Sequence, residues 1–128
     1  MATKGTQMTA LKDVKALEPA AIYSEINAQP PLMREEASEA YIGEEVEWLL
    51  TLANGSVRKG RAELIFHFDS RDTRMVCGKA PLARYPWLKS LGAGETVRVR
   101  GRISRITSLS IDLDVLELGL PEPAALRG

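Results

Sequence analysis

The sequence predicts a mainly β fold, a Greek-key barrel of five strands with N-terminal helices and a further helix between strands three and four. Two runs near the C-terminus carry this prediction. Residues 94–103 and 111–118 alternate apolar with polar side chains, as half-buried strands do. Gly101 interrupts the first run, which indicates a bend or the close approach of another backbone. A bent strand, a polar loop and a second amphipathic strand are typical of the closing half of such a barrel.

Two earlier runs predict the first and second strands. Apolar residues alternate over 46–52 and again over 62–68, so each run has one face suited to a core. Asn54 and Gly55 form a dipeptide that is frequent in tight hairpins, and we expect the turn there.

The middle of the sequence predicts a third strand and a helical connection. Residues 74–77 form a short apolar stretch whose inward face the pattern leaves open. Residues 81–91 place apolar side chains at helical spacing, which predicts one or two helical turns before the fourth strand.

The segment before the barrel is predicted to be helical. Pro19 suits the first turn of a helix that runs to about Asn27, and a second helix is expected over 32–41. The domain prediction is therefore a disordered start at 1–8, a helical extension at 9–42, the barrel at 43–120 and a flexible tail at 121–128. We expect the helices to pack on their own barrel through Ile22, Ile26 and Tyr41, although the same apolar residues would also suit a partner protein.

Composition limits the class of protein. The chain has 128 residues, 45% of them hydrophobic and 27% charged, which is ordinary for one globular domain. The sequence shows no apolar run near 18 residues, no signal peptide and only one cysteine, Cys77, which predicts a cytoplasmic protein without membrane contact. The net charge of zero is uneven, because residues 45–107 carry twelve basic and six acidic groups while both flanking segments are acidic. Such a distribution fits an anion-binding surface or plain solvation.

The predicted order of strands, with a helix after the third, is that of the OB fold. Over residues 19–118 the chain resembles bacterial OB-fold domains of the tRNA anticodon-binding-like group. The resemblance rests on a Tyr-x-Gly-x-x-Val motif at 41–46, a Gly-x-x-Val-x-Val-x-Gly-x-Ile motif at 94–103 and an Ile-x-Leu strand at 111–113. These glycine and apolar positions build a barrel, so the resemblance implies the fold and no activity. Many members of that group resemble lipoproteins, but this chain has no cysteine near its start, so membrane anchoring is not implied.

The sequence gives no support for catalysis, so we expect a non-enzyme without cofactor or metal. His67 is the only histidine, and alternation places it on the outer face of the second strand. Asp69 and Asp72 could complete a metal site with it, but they fall in a turn where aspartate is common for conformational reasons. Cys77 has no partner at metal-ligand spacing and is expected to pack as a small hydrophobic residue.

Nucleic-acid binding has more support from the sequence. OB folds bind oligonucleotides on the face of strands two and three and on the loops between strands one and two and strands four and five. Seven side chains there could meet phosphates: Arg58, Lys59, Arg61, His67, Arg71, Arg74 and Arg105. All of them except Arg71 form our predicted binding site. Alternation places the aromatic residues of the strands on the core face, and others lie on the connecting helix, so few can stack on bases. Binding of single-stranded DNA or RNA should therefore be mainly electrostatic and weak at physiological salt.

Two alternatives remain open at this point. Arg98, Arg100 and Arg102 lie on the outside of the fourth strand and could bind an anion, but pairing with Asp112, Asp114 and Glu117 of the fifth strand is the favoured interpretation. The whole domain could also be an adaptor that binds a partner protein or a second copy of itself through strand edges.

Overall fold

The computed structural model describes residues 18–69 and 72–121. The predicted disordered start, the flexible tail after residue 121, any helix before Pro19 and the side chain of Arg71 lie outside these residues. Helix α1 spans Pro19–Asn27, and a 3-10 helix at Pro31–Met33 leads into α2 at Arg34–Glu39. The strands are β1 Glu45–Arg58, β2 Arg61–His67, β3 Met75–Pro81, β4 Thr96–Ile106 and β5 Ser110–Gly119. A second 3-10 helix, Pro86–Ser90, connects β3 to β4.

The five strands close into a barrel in the order β1-β2-β3-β5-β4, with β4 returning to pair with β1. All neighbours are antiparallel except β3 and β5, which run parallel. This is the OB fold, and the predicted fold class is confirmed. The helix predicted between strands three and four is a short 3-10 helix.

The barrel core has the predicted register. Val97 and Val99 of β4 are fully buried, and Trp48 and Phe66 are nearly so. Ile103 completes the set expected to face one interior. Burial of each such side chain contributes about 1.5–3 kcal/mol relative to exposure.

The predicted turn at Asn54-Gly55 is wrong, because these residues lie inside β1. Asn54 follows a register shift in the β1–β2 ladder, and its side-chain Oδ1 accepts a hydrogen bond from the Gly55 N–H at 2.7 Å. The turn is formed by Lys59 and Gly60, with φ of 54° and 77°. Two central residues with positive φ are the signature of a tight hairpin turn whose twist matches its strands. The hairpin is therefore longer than predicted; its β2 side stays paired with β3 as far as Arg61, whereas its β1 side runs past the end of β4.

The third strand is also longer than predicted. It runs from Met75 to Pro81, with Val76, Gly78 and Ala80 facing inward. Gly78 sits in the interior phase with no side chain of its own, because an added Cβ would lie 2.8 Å from a methyl of Val115. The inward alternation was therefore hard to recognise in the sequence.

Gly101 marks a close approach of two backbones, one of the two interpretations offered by the sequence. A Cβ at this position would lie 2.8 Å from the Asp114 carbonyl oxygen on β5. The β4–β5 register shifts next to this glycine, between Arg100 and Gly101. The missing side chain thus lets β4 and β5 stay paired through a bulge.

Helix α1 packs on the barrel. Ile22 is fully buried, and Tyr23 and Ile26 join the same core cluster. The Tyr23 hydroxyl donates a hydrogen bond of 2.8 Å to the Thr107 carbonyl oxygen in the loop between β4 and β5. Its ring stacks on Phe68, just after β2, with 6.3 Å between centroids. We call this side the α1 end and the opposite side, at the β1–β2 hairpin, the hairpin end.

Candidate nucleic-acid interface

A groove of about 610 Å³ runs across the outside of β2, β3 and β5, and we call it the outer groove. The outward phase of these strands supplies Glu63 and Ile65 from β2, Cys77 and Lys79 from β3, and Asp112 and Asp114 from β5. The outward residues lie side by side because the register pairs Ile65 with Cys77 and Cys77 with Asp112. Strand spacing of about 4.8 Å makes this a shallow surface about three strands wide.

The charged lining of the outer groove is mixed. Arg61 and Lys79 are its basic residues, and Glu63, Asp112 and Asp114 are acidic. The groove thus carries one negative charge in excess. Carboxylates on its β5 side would repel a phosphate backbone, so an anionic polymer would have to enter from the basic side.

The basic residues cluster at the hairpin end, and we call Arg58, Lys59, Arg61 and Lys79 the hairpin cluster. Arg58 and Arg61 are opposite each other in the β1–β2 ladder, and Lys59 occupies the turn between them. Glu63 is the acid among them, with carboxylate oxygens 3.8 Å from Arg58 Nε and 3.9 Å from Lys79 Nζ. Because these distances are long and the Arg58 and Lys79 side chains are 75% and 62% exposed, the cluster keeps most of its positive charge available.

The predicted residues His67 and Arg74 lie at the other end of the β2–β3 ladder. Five residues of β2 lie between Arg61 of the hairpin cluster and His67, a distance of about 20 Å along the strand. Arg74 donates hydrogen bonds from its Nε to both carboxylate oxygens of Asp72, and its guanidinium carbon lies 4.2 Å from the centre of the Tyr23 ring. These two contacts fix its side chain against the protein.

The pKa values at the α1 end reflect this packing. Hydrogen bonds from Arg74 lower the pKa of Asp72 to about 2, and the same side-chain hydrogen bond raises the pKa of Arg74. Burial raises the pKa of Tyr23 to about 12, so its hydroxyl stays protonated and keeps its bond to Thr107. Asp72, Arg74 and Tyr23 thus contact one another, and these contacts hold the Arg74 guanidinium against the protein.

His67 is only partly accessible. Its side chain is half-buried, and its Nδ1 is buried with no hydrogen-bond partner among the described residues. Arg105, near the end of β4, is exposed and lies opposite Asp112 in the β4–β5 ladder. The six predicted residues therefore fall into three places, and the structure brings together Arg58, Lys59 and Arg61.

The arginine stripe on β4 is partly neutralised, and of the three predicted partners on β5 only Glu117 forms an ion pair with it; among the described residues neither Asp112, Asp114 nor Arg102 forms one. Arg100 forms ion pairs of 3.0 Å with Glu45 on β1 and with the predicted Glu117 on β5. Arg98 pairs with Glu47 of β1 at 3.6 Å. Hydrogen bonds to Glu45 and Glu117 raise the pKa of Arg100. The β1 partners were missed because the sequence does not show that β4 returns to β1.

The outer groove lacks stacking side chains, because no aromatic residue lines it within the described part of the chain. Cys77, in the middle of the groove, is half-buried, and burial raises the pKa of its thiol. In the described ranges no group of three or more His, Cys, Asp or Glu side chains is arranged to hold a metal ion. Likewise, none of the helices in these ranges is long and apolar enough to cross a membrane.

Lys79, Asp112 and Asp114 line the groove but were not among the predicted site residues. Lys79 was missed because the third strand was predicted to end at Cys77. Over so short a run the alternation does not show which residues face outward. Alternation of Val76 and Ala80 around it was the available signal. The two aspartates were read only as partners of the β4 arginines, although β5 also borders β3.

Comparison with known proteins supports the fold alone. Neither a known family model nor a curated protein sequence matches the chain. A candidate nucleic acid-binding lipoprotein from Klebsiella pneumoniae is similar in structure, with a TM-score of 0.55 and 14% identity over 77% of this chain and 87% of that one. An OBody bound to hen egg-white lysozyme is similar at a TM-score of 0.53 and 11% identity, over 65% of this chain and 83% of that one.

Two larger proteins contain a similar unit. They are a candidate aspartyl-tRNA synthetase from Leishmania major and the aspartyl-tRNA synthetase from Entamoeba histolytica, both at a TM-score of 0.51, with 11% and 12% identity. The matches cover 63% and 74% of this chain, which spans only 18% and 24% of the length of those enzymes. All four neighbours are OB-fold proteins, which agrees with the topology described above.

Proposed function

We propose that this protein is a non-catalytic binding module that holds single-stranded nucleic acid at the hairpin cluster and along the adjoining outer groove. The observation that carries the proposal is the concentration of Arg58, Lys59, Arg61 and Lys79 around a single carboxylate at the mouth of the groove. Exposed cations are suited to phosphate contacts, which need charge rather than fixed geometry.

The groove also predicts how such binding behaves. Without aromatic side chains there is little base stacking, which supplies about 1–3 kcal/mol per base in other single-strand binders. The carboxylates of Asp112 and Asp114 keep phosphates away from the β5 side. Binding should therefore be weak, tolerant of sequence and strongly dependent on salt.

The test compares two double charge reversals. Arg58→Glu with Arg61→Glu removes two members of the hairpin cluster, whereas Arg84→Glu with Lys89→Glu makes the same change in net charge on the exposed connection before β4. Fluorescence anisotropy with a labelled single-stranded oligonucleotide at about 50 mM salt should show at least tenfold weaker binding for the first pair. The second pair should stay within about twofold of the unsubstituted protein.

Salt dependence provides the second measurement. Three or four phosphate contacts predict that the logarithm of the binding constant falls with the logarithm of salt concentration at a slope of about −2 to −3. If tens of micromolar protein gives no binding at about 50 mM salt, or if both double variants lose binding equally, the proposal is wrong.

Protein binding is the second candidate function. The observations in its favour are the mixed charge of the outer groove and the lack of aromatic residues in its lining. The scaffold is compatible with either class, since its structural neighbours include a candidate nucleic acid-binding lipoprotein and an OBody bound to a protein. Failure of the anisotropy experiment would leave this alternative.

A further inference from the structure

The β1–β2 hairpin has a second face and an open edge, neither of which the proposed function uses. Alternation places Arg58 and Arg61 on the side of the outer groove, whereas Val57 and Ala62 point to the opposite side. On that side the hairpin borders a second groove of about 330 Å³, which we call the edge groove and which shares Asn54, Gly55 and Ser56 with the lining of the outer groove.

The open edge arises because β1 is longer than its ladder with β4, the strand on its other side. The β1–β4 ladder ends at Thr51 opposite Thr96. Just beyond it, the backbone of Leu52 still exchanges hydrogen bonds with Gly94 and Glu95, at 2.8 and 2.9 Å. Past this point β1 pairs only with β2, and no backbone hydrogen bond among the described residues joins 53–57 to another element.

The hairpin register shows which groups face the edge. In a two-residue hairpin the residues that flank the turn exchange hydrogen bonds, so alternate residues direct their backbone groups away from the partner strand. Counting back from Arg58, these residues are Val57 and Gly55. The Gly55 N–H is bonded to the Asn54 side chain, which leaves its carbonyl and both backbone groups of Val57 available for a new strand.

The walls of the edge groove are apolar. Val57, which is 60% exposed, forms one side, and Leu82, Leu88 and Leu91 form the other. Lys89 is the one charged residue in the lining, within the part of the chain that the structure describes. Arg84 and Lys59 lie exposed in the adjoining turns.

We infer that the edge groove binds an extended, acidic peptide segment of a partner protein, which adds as a strand to residues 53–57 of β1. Backbone hydrogen bonds to Val57 and Gly55 would hold the peptide, and its side chains at alternate positions would enter the groove, apolar beside the leucines and acidic beside Lys89. The edge is about 17 Å long, which suits a segment of about five residues.

Charge complementarity favours this occupant over a second copy of the chain. A second copy paired along the same edge would offer its own residues 53–57, Ala-Asn-Gly-Ser-Val, which include no acidic side chain for Lys89. An acidic peptide supplies that partner. The inference stands apart from the proposed function, because the groove lies on the other face of the hairpin.

The experiment selects peptides from a random twelve-residue display library on the full chain. Enriched peptides should carry both apolar and acidic residues at the alternate positions that share one face of a strand, the face that enters the groove. A labelled, synthetic copy of the best one should bind at least tenfold more weakly to Lys89→Glu, whereas Lys79→Glu, on the outer groove, should leave its binding unchanged. Two further copies should carry N-methyl groups on alternate backbone nitrogens, one at the odd-numbered and one at the even-numbered positions. Only one of the two should lose binding, because an added strand directs the backbone groups of every second residue toward β1.

Several results would overturn the inference. They are a selection without enrichment, peptide affinity that is insensitive to Lys89→Glu, and loss of peptide binding in Lys79→Glu, which would place the peptide in the outer groove. A dimer in sedimentation experiments that the peptide dissociates would assign the edge to a second copy instead. Measuring oligonucleotide binding of Lys89→Glu in parallel separates the two proposals, since that variant should retain it.

Discussion

At the α1 end of the barrel Arg74 is fixed by Asp72 and by the ring of Tyr23, whereas at the hairpin end Arg58 and Lys59 extend into solvent. The two ends belong to the same β2–β3 ladder and are about 20 Å apart. The difference follows from what covers each end, because α1 supplies aromatic and apolar surface on one side, whereas on the other β1 runs past β4 and no helix covers the turn among the described residues. Basic residues are thus structural where the barrel is closed and available to a ligand where it is open.

The largest effect should come from removing the apolar anchor of α1. Ile22 is fully buried in the core, so Ile22→Ala should lower the free energy of unfolding by about 3 kcal/mol through lost burial and the cavity that remains. Val57→Ala, at the exposed hairpin end, should change it by less than about 0.5 kcal/mol. Urea denaturation measures both. Equal losses for the two variants would contradict the contrast between the ends.

The wall between the two ends should be sensitive to a single methyl group. Gly101→Ala places a Cβ 2.8 Å from a carbonyl oxygen of β5, so one of the two strands must shift, at a cost of about 1–3 kcal/mol. Gly92→Ala is the matched control, since nothing lies within 4 Å of its added Cβ. Thermal unfolding should show a lower melting temperature for Gly101→Ala alone. A variant as stable as the control would show that the close approach is not rigid.

The smallest effect should appear as a difference in acid sensitivity. Asp72 has a pKa of about 2 in the folded protein against an ordinary 3.8, so its charged form stabilises the fold above pH 3.8 and this contribution disappears as the pH falls to 2. Partial exposure limits it to about 1 kcal/mol. The stability difference between the unsubstituted protein and Asp72→Asn should therefore shrink between pH 5 and pH 2. A constant difference would mean that the ion pair contributes nothing.

The sequence predicted the barrel well because its fold depends on alternation. Val97 and Val99 of β4 carry a strong two-residue period, and each faces the core as expected. Where the period was weak the strand was predicted too short, since the third strand was ended at Cys77, just before Gly78, whose position is filled by the Val115 side chain of another strand. When a side chain from a strand distant in sequence fills the interior space beside a residue, the sequence around that residue does not show that it faces the core.

Turn chemistry explains the other main error. Asn54-Gly55 has the composition of a tight turn, yet its backbone lies in a strand, and the turn uses Lys59 at a positive φ instead. A local preference of about 1 kcal/mol is easily outweighed by ladder hydrogen bonds and side-chain burial. The candidate site depended on this detail, because the longer hairpin is what gathers Arg58, Lys59 and Arg61.

The site itself was only partly predictable. Clustering of three hairpin residues could be inferred from their adjacency in the chain, but the fate of Arg74 depends on Tyr23, which is distant in sequence. The same holds for Lys79, whose neighbours on β2 and β5 come from the barrel topology. Residues brought together by strand order lie beyond what periodicity can show.

The turn of the β1–β2 hairpin also makes this protein adjustable by insertion. Lengthening both strands beyond Arg58 and Arg61 by two residues would preserve the alternation while the hairpin grew by about 7 Å. One extra residue placed earlier, between Leu64 and Phe66 of β2, would instead turn the buried side chains of Ala62 and Leu64 away from the core and shift the register with β3. Hairpin length is therefore a variable that a designer or natural selection can change at the turn, independently of the barrel core.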